Sequence, residues 1–205
     1  DPQRLHRFSR NSGRRIFDLS TQSPSERRDI SRTGASYSAI PHCRRPEAAE
    51  PTAGVPIRLV LTEKPSVARD LARVLGATGR QDGWLEGHGL QITWCLGHLV
   101  ELEEPSHYQD AWKRWSFETL PMLPEEFSLR PRKGGGTDER LKVLRKLLKS
   151  RDIDCIINAC DAGREGELIF RFVYEMLDCR LPVERLWVSS LTDSAIKAAW
   201  GKLRP

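Results

Sequence analysis

The feature that most constrains the fold is a pair of short apolar runs, each of which ends in a carboxylate and leads into a helical pattern. The first run is IRLVLT at 57–62, followed by Glu63, and the second is CIINAC at 155–160, followed by Asp161. Runs this apolar are typical of strands that are buried on both faces of a parallel sheet. A helix after each strand completes a βα unit, so the sequence predicts an α/β fold with a mainly parallel sheet flanked by helices.

The remaining pattern extends this alternation of strands and helices. A hairpin or two short strands are predicted within 84–99, where two glycines separate runs with strand character. The spacing predicts helices over 64–76, 137–150, 164–177 and 192–203, and strands over 57–63, 154–160 and 183–190. Ser66, Thr137 and Thr192 are the predicted N-caps, and Leu168, Phe172 and Val173 the predicted inner face of the third helix.

Charge and composition divide the chain into a tail and a domain. Residues 1–56 hold ten Arg, no Lys and six acids in a Ser- and Pro-rich stretch without periodicity, which predicts a disordered tail. An alternative is an Arg-rich arm that touches phosphate non-specifically. Residues 57–205 are almost balanced in charge and are expected to form the domain, with an irregular insert at about 101–136 that carries four prolines and a Gly triplet.

Composition also excludes several classes of protein. No run of about 18 apolar residues is present, so we expect no membrane span, and no apolar stretch follows the basic start, as a secretory signal would require. The five cysteines show no CxxC spacing, which argues against a structural zinc site and a secreted disulfide framework. A cytoplasmic protein is the expectation. Because the chain starts at Asp1, we also expect that its N-terminus is incomplete.

The acids that end the two strands predict a site at one edge of the sheet. In open α/β sheets ligands bind beyond the carboxyl ends of the strands, so Glu63 and Asp161 are expected to face one crevice if their strands are neighbours. Glu165 follows in DAGREGE, and Lys64 and Arg164 each lie beside an acid. Carboxylates with few His or Cys nearby suit Mg²⁺, and the adjacent cations suit a phosphate. The alternative is that these charges only stabilise helix N-termini.

Longer segments around these acids resemble a known family. The segments LTEKPSVARDLARVLG (61–76), CLGHLVEL (95–102) and IINACDAGREGELIFR (156–171) are similar to the Toprim domain of type IA DNA topoisomerases, closest to the bacterial topoisomerase III branch. WSFETLPMLPEEFSLRP (115–131) and RLWVSSLTDSAI (185–196) continue the likeness in the expected order. The resemblance covers 57–205 and implies a Rossmann-like Toprim fold, Mg²⁺ as cofactor and single-stranded regions of DNA as partner.

The resemblance also implies roles for individual residues. Glu63 corresponds to the glutamate expected to protonate the leaving 3′ oxygen and to deprotonate it on religation. Lys64 and Arg164 correspond to basic residues that assist catalysis and bind DNA near the scissile phosphate. The implied metal ligands are Glu63, Asp161 and Glu165, whereas Gly163 stands where the family pattern has a middle acid, so one ligand is missing. His98 corresponds to a DNA-binding position near the active site, with a packed core histidine as the alternative.

The family's nucleophilic tyrosine has no counterpart among Tyr37, Tyr108 and Tyr174. We therefore expect that the chain is truncated before the later topoisomerase domains, that it forms no covalent DNA intermediate alone, and that the full-length protein is nucleoid-associated. Two other functions stay open: an autonomous Toprim nuclease or primase-like phosphotransfer protein, and a non-enzymatic truncated remnant.

Aromatic residues are concentrated in the insert, where Tyr108, Trp112, Trp115 and Phe117 are interleaved with cations. Aromatics among cations can form a stacking surface for single-stranded nucleic acid. They can equally pin a long loop onto the domain, and this loop-packing interpretation is the one that we favour.

Overall fold

The computed structural model describes residues 56–205, so the predicted disordered tail lies outside the described residues except for Pro56. The strands are β1 Ile57–Thr62, β2 Gly79–Gln81, β3 Trp84–Gly87, β4 Leu90–Trp94, β5 Val100–Leu102, β6 Leu129–Pro131, β7 Ile153–Asn158 and β8 Val183–Arg185. The helices are α1 Pro65–Leu75, α2 Pro105–Tyr108, α3 Thr137–Leu148, α4 Arg164–Met176 and α5 Asp193–Trp200.

A six-stranded sheet in the order β2-β3-β4-β1-β7-β8 forms the centre of the domain. The neighbouring strands β4, β1, β7 and β8 are parallel to one another. At one edge of the sheet, β2 and β3 form a hairpin that pairs with β4 in the antiparallel direction. The α/β prediction is therefore confirmed, with a mixed sheet whose central pairings are parallel. β1 and β7 are direct neighbours, with Leu61 opposite Asn158, and the acids that follow them emerge at the same edge.

Both faces of this sheet are covered by helices. On one face Val60, Ile92 and Ile157 pack with Leu71 of α1 and Ile196 of α5. On the other face the strand residues pack with α3 and α4 in a cluster of buried side chains that includes Leu59, Leu61, Leu144, Ile156, Ile169 and Phe170. This two-sided burial explains the unbroken apolar runs of β1 and β7. No helix among residues 56–205 is long and apolar enough to cross a bilayer.

Three local predictions are wrong in detail. Ser66 is not an N-cap, because α1 already starts at Pro65 with Lys64 in the N-cap position, and proline is favoured in the first turn of a helix. Thr137 is the first residue of α3 rather than its cap, and its hydroxyl donates to the carbonyl of Gly134 at 2.8 Å. Leu168 lies on the exposed side of α4, where Ile169 and Phe170 instead face the core. Thr192 does cap α5, accepting from the Ala195 amide at 3.4 Å.

The insert holds more regular structure than its sequence suggests. β5 and β6 pair as a small antiparallel sheet, and α2 and two 3-10 turns lie between them. The Tyr108 hydroxyl accepts from the Ser128 amide at 2.8 Å, and its ring lies 6.3 Å from that of Trp112. Trp115 and Phe117, by contrast, are 76% and 94% exposed. The loop-packing interpretation therefore fits the first two aromatics and is wrong for Trp115 and Phe117.

Candidate functional site

Glu63 occupies the first position after β1, at the carboxyl edge of the sheet, and is only 8% exposed. The loop after β4 lies along it, with the Cys95 amide donating to Thr62 and the Gly97 amide donating to the Glu63 carbonyl at 3.3 Å. The Thr62 hydroxyl donates to the carbonyl of Lys64 at 3.0 Å and so closes the strand-to-helix turn. The main chain that carries this nearly buried carboxylate is thereby fixed at the carboxyl edge of the sheet.

Lys64 joins the acids of the two strands. Its Nζ lies 3.2 Å from Glu63 Oε1 and donates to Asp161 Oδ2 at 2.8 Å. These contacts, first the hydrogen bond to Asp161 and then that to Glu63, raise the pKa of Lys64 to about 12. One ammonium thus bridges carboxylates that are 98 residues apart in the chain, as the neighbouring strands predict.

The main chain at Asp161 is held in place by the buried side chain of Arg185, the last residue of β8. The Arg185 guanidinium donates to the carbonyls of Asn158, Cys160 and Leu186 at 2.8–3.0 Å, and to that of Asp161 at 3.0 Å. Two of these acceptors, the carbonyls of Cys160 and Asp161, lie beyond the last residue of β7, whereas the Asn158 carbonyl also accepts from the Leu186 amide at 2.9 Å. Arg185 therefore replaces strand pairing with side-chain bonds at the point where Asp161 leaves the sheet.

Glu167 and Asn158 complete this support. Arg185 Nε lies 2.5 Å from Glu167 Oε1, and the Asn158 side-chain amide donates to the same carboxylate at 3.1–3.2 Å. Asn158 Oδ1 in turn accepts from the Cys160 amide at 3.1 Å. Sequence reasoning missed Asn158 and Arg185 as part of the site. The sequence does contain a signal for these two residues, because each is a polar side chain beside apolar residues within a predicted strand.

The two glycines of DAGREGE play different parts. A Cβ on Gly166 would overlap the Asp161 carbonyl and lie 2.8 Å from the Asp161 amide nitrogen, so the first turn of α4 packs there only with glycine. Gly163 has an extended φ of 171°, and a Cβ built on it meets nothing within 4 Å. The tight turn thus requires Gly166 alone, and the position of the missing middle acid is sterically open.

The other predicted residues lie at the same edge but not in one cluster. His98 Nε2 is 3.2 Å from Glu165 Oε1, so this histidine contacts one of the predicted metal ligands. Arg164 is exposed at the first position of α4 and has no ion-pair partner within residues 56–205. Glu165, which is turned toward His98, does not join Glu63 and Asp161 at Lys64.

The donor set can be compared with the needs of a metal. In the described part of the chain, no three His, Cys, Asp or Glu side chains are grouped so as to hold an ion. Two carboxylates, Glu63 and Asp161, do converge on the single cationic point of Lys64 Nζ. Mg²⁺ is commonly held by one or two carboxylates together with water and phosphate oxygens, so this pair fits Mg²⁺ in place of the ammonium. The predicted set with Glu165 as third ligand stays a prediction.

Comparison with known proteins places this geometry in a family. The Toprim domain family matches residues 58–191, which is more than half of the chain. The chain belongs to the Toprim family. The match confirms the resemblance that was drawn from EKPS and DAGREGELI. In this Toprim domain the acids that follow β1 and β7 therefore lie side by side at the carboxyl ends of the two strands.

Two curated relatives of the Toprim domain illustrate its similarity to longer proteins. DNA topoisomerase 3 of Shouchella clausii (strain KSM-K16) is 46% identical over 147 residues, and that of Bacillus subtilis (strain 168) is 45% identical over 146 residues. These matches cover 72% and 71% of this chain. The chain spans about a fifth of the length of these relatives, 20% in each case. The structure of full-length topoisomerase I from Thermotoga maritima is 19% identical, with a TM-score of 0.46 over 71% of this chain and 21% of that chain.

Proposed function

We propose that this Toprim domain is the Mg²⁺-binding portion of a type IA DNA topoisomerase, which changes DNA topology by cutting one strand, passing a strand through the break and rejoining it. The observation that carries the proposal is the convergence of Glu63, Lys64 and Asp161 at the carboxyl edge of parallel strands. The relatives named DNA topoisomerase 3 support the choice of reaction.

In this proposal each residue has a task that follows from its surroundings. Glu63 is nearly buried and fixed by the loop after β4, which suits a general acid that protonates the leaving 3′ oxygen and deprotonates it on religation. The Lys64 ammonium and the exposed Arg164 bind the phosphate that carries that oxygen, and His98 orients Glu165. Glu63 and Asp161 would hold Mg²⁺, and the bound ion would supply positive charge to balance that of the phosphate.

The nucleophilic tyrosine of this reaction is assigned to a part of the protein other than residues 56–205. The Tyr174 hydroxyl donates to the Leu181 carbonyl at 3.0 Å, on the core side of α4, and the Tyr108 hydroxyl is bonded to Ser128 in the insert. Neither phenol contacts Glu63 or Lys64. Because the relatives are about five times as long as the matched segment, we propose that further domains of a longer polypeptide supply the tyrosine and grip single-stranded DNA at the nucleoid.

A chimeric enzyme tests the proposal directly. The matched segment of this chain replaces the corresponding segment of DNA topoisomerase 3 from Bacillus subtilis (strain 168), to which it is 45% identical. We expect the chimera to relax negatively supercoiled DNA in the presence of Mg²⁺. The chimera that carries Glu63→Gln is expected to lose at least about a hundredfold in rate, because general acid–base catalysis typically contributes that much.

The matched control is Glu86→Gln in the same chimera. Glu86 lies on β3, bonded to Gln81 and Trp84 and away from the carboxyl edge of β1, so its loss is expected to leave relaxation unchanged. A folded chimera that binds DNA but relaxes none, beside an active parent enzyme, overturns the proposal. Cutting by the 205-residue chain alone, lost in Glu63→Gln, would instead establish a tyrosine-independent nuclease.

A further inference from the structure

A cavity of about 360 Å³ opens beside Asp161, between the ends of β7 and β8. Its walls come from three elements: Val67 of α1, residues 159–162 after β7, and residues 188–191 after β8. This volume is at the lower end of the range of small-ligand pockets. The cavity is separate from the acid–lysine contacts except at Asp161, which belongs to both.

The chemistry of the walls selects an uncharged, largely apolar group. Val67, Val188 and Leu191 supply aliphatic surface, and Ser189 and Ser190 place two exposed hydroxyls at the rim. Burial raises the pKa of the Cys160 thiol well above its usual value, so that wall is neutral at physiological pH. The only charged wall is Asp161, a carboxylate that disfavours a second anion inside the cavity. An uncharged group with hydrogen-bonding edges suits such a lining better than a phosphate.

The wall formed by 188–191 is held at both ends, so the cavity is already formed without a ligand. Leu186, on its β8 side, is fully buried, and Thr192, on its other side, caps α5. Arg73 of α1 forms two hydrogen bonds with Asp193, at 2.7 and 3.0 Å, and ties the start of α5 to the helix that carries Val67. The helix that carries Val67 and the helix that follows residues 188–191 are therefore joined by an ion pair.

We propose that this cavity is a binding site for one unpaired nucleobase of a DNA strand whose adjoining phosphate is bound by Lys64. The inference rests on the proposed function, which places a phosphate at Lys64. Because Asp161 lines the cavity and also contacts Lys64 at 2.8 Å, a nucleotide held at the lysine has its base at the cavity mouth. Aliphatic side chains pack against the faces of the base, and the Ser189 and Ser190 hydroxyls bond its edge. A base can enter only where the strand is unpaired.

The test uses amide NMR spectra of the 205-residue chain with two kinds of probe. Uncharged deoxynucleosides report on the cavity alone, and a short single-stranded oligonucleotide reports on the cavity and on Lys64 together. We expect saturable shifts at Ala162, Ser189 and Ser190 with a nucleoside dissociation constant of about a millimolar. An oligonucleotide with a single abasic position is expected to bind more weakly than the intact strand.

A filling substitution and its matched control make the assignment specific. Ser190→Phe places a ring at the rim and is expected to weaken nucleoside binding at least about tenfold. Ser194→Phe makes the same change at an exposed position of α5 that does not line the cavity, and it is expected to leave binding unchanged. Unchanged spectra elsewhere in both variants show that each is folded.

The outcomes separate the two proposals. No saturable shift at Ser189 and Ser190 with any of the four deoxynucleosides overturns the nucleobase site. Equal affinity for intact and abasic strands, together with nucleoside binding, overturns the assignment to a strand and indicates a free nucleotide. If the oligonucleotide leaves the amides of Lys64 and Asp161 unchanged, the proposed function fails, and the nucleoside titration still reports on the cavity.

Discussion

At the scale of single residues, the charge balance of the site depends on Lys64. Glu63 is nearly buried, and a buried carboxylate without a partner is strongly unfavourable. Lys64 provides that partner and at the same time contacts the half-exposed Asp161. In the function that we propose, the same ammonium that compensates the acids also binds the phosphate of DNA.

This arrangement predicts how the titration of Lys64 responds to its neighbour. Because the hydrogen bond to Asp161 is the largest cause of the raised value, Asp161→Asn is expected to lower the pKa of Lys64 from about 12 toward 10.5. The chemical shift of the lysine side-chain nitrogen, followed by NMR between about pH 9.5 and about pH 12.5, measures this change, because the range begins roughly one unit below the lower pKa and ends roughly half a unit above the higher one. Asp154→Asn, at an exposed position of β7, is the control and is expected to change nothing.

The effect on stability has a definite sign. A lysine pKa that is higher in the folded than in the unfolded chain stabilises the fold fully below pH 10.5, and this contribution disappears as the pH rises through about 12. The difference in free energy of unfolding between the wild type and Asp161→Asn should therefore shrink over that range. The lower test pH, about 9, lies about 1.5 units below the unfolded pKa of lysine. If the two proteins differed in free energy of unfolding by the same amount at about pH 9 and about pH 12, the result would contradict the ion pair.

Gly163 offers a second prediction at this scale. The position is open, and its extended backbone accepts any side chain, so Gly163→Asp adds a carboxylate between Asp161 and Glu165 without strain. We expect it to raise Mg²⁺ affinity about tenfold, since an added anionic ligand strengthens binding of a hard cation. Calorimetric titration with MgCl₂ measures the gain. Gly163→Asn, which has the same shape without the charge, is the control, and an affinity of Gly163→Asp no higher than that of Gly163→Asn would contradict an added anionic ligand at this edge.

At the scale of elements, the turn from β7 into α4 depends on a close approach at one glycine. Gly166→Ala drives a Cβ into the Asp161 main chain and is expected to cost about 1–3 kcal/mol of unfolding free energy, as overpacking typically does. Gly163→Ala introduces the same methyl group into open space and is expected to change stability by less than about 0.5 kcal/mol. Urea unfolding of the two variants side by side measures the contrast, and similar losses in both would refute this account of the turn.

The same elements show what the sequence could predict. The two βα units and the meeting of Glu63 with Asp161 follow from local patterns, because an apolar run that ends in an acid determines both the strand and the edge at which it ends. The Arg185 network could not be predicted, since its acceptors are main-chain carbonyls that only the fold brings together. The turn of Glu165 toward His98 likewise depends on a loop from another strand. The sequence therefore predicted that Glu63 and Asp161 meet, but not which side chains hold them in place.

At the scale of the whole molecule, the insert presents an apolar surface. The insert surface comprises Trp115, Phe117, Leu120, Leu123 and Phe127, all exposed within 13 residues. Exposed apolar patches of this kind mark places where a protein meets another surface or associates with itself. The sequence of the insert did not predict that these side chains are exposed, because aromatic residues in a long loop often pack onto the domain, as Tyr108 does.

The insert surface is expected to contribute to association and not to the stability of the fold. Trp115→Ser combined with Phe117→Ser removes side chains that are 76% and 94% exposed, so the free energy of unfolding should stay within about 0.5 kcal/mol of the wild type. Concentration-dependent self-association, followed by sedimentation velocity, should decrease. Trp94→Ser is the contrast, because that ring is half-buried on β4 with the Arg140 guanidinium 4.7 Å from its centre, and its loss should cost about 3 kcal/mol. A double variant that unfolds as easily as Trp94→Ser would show that the insert is packed onto the domain in solution.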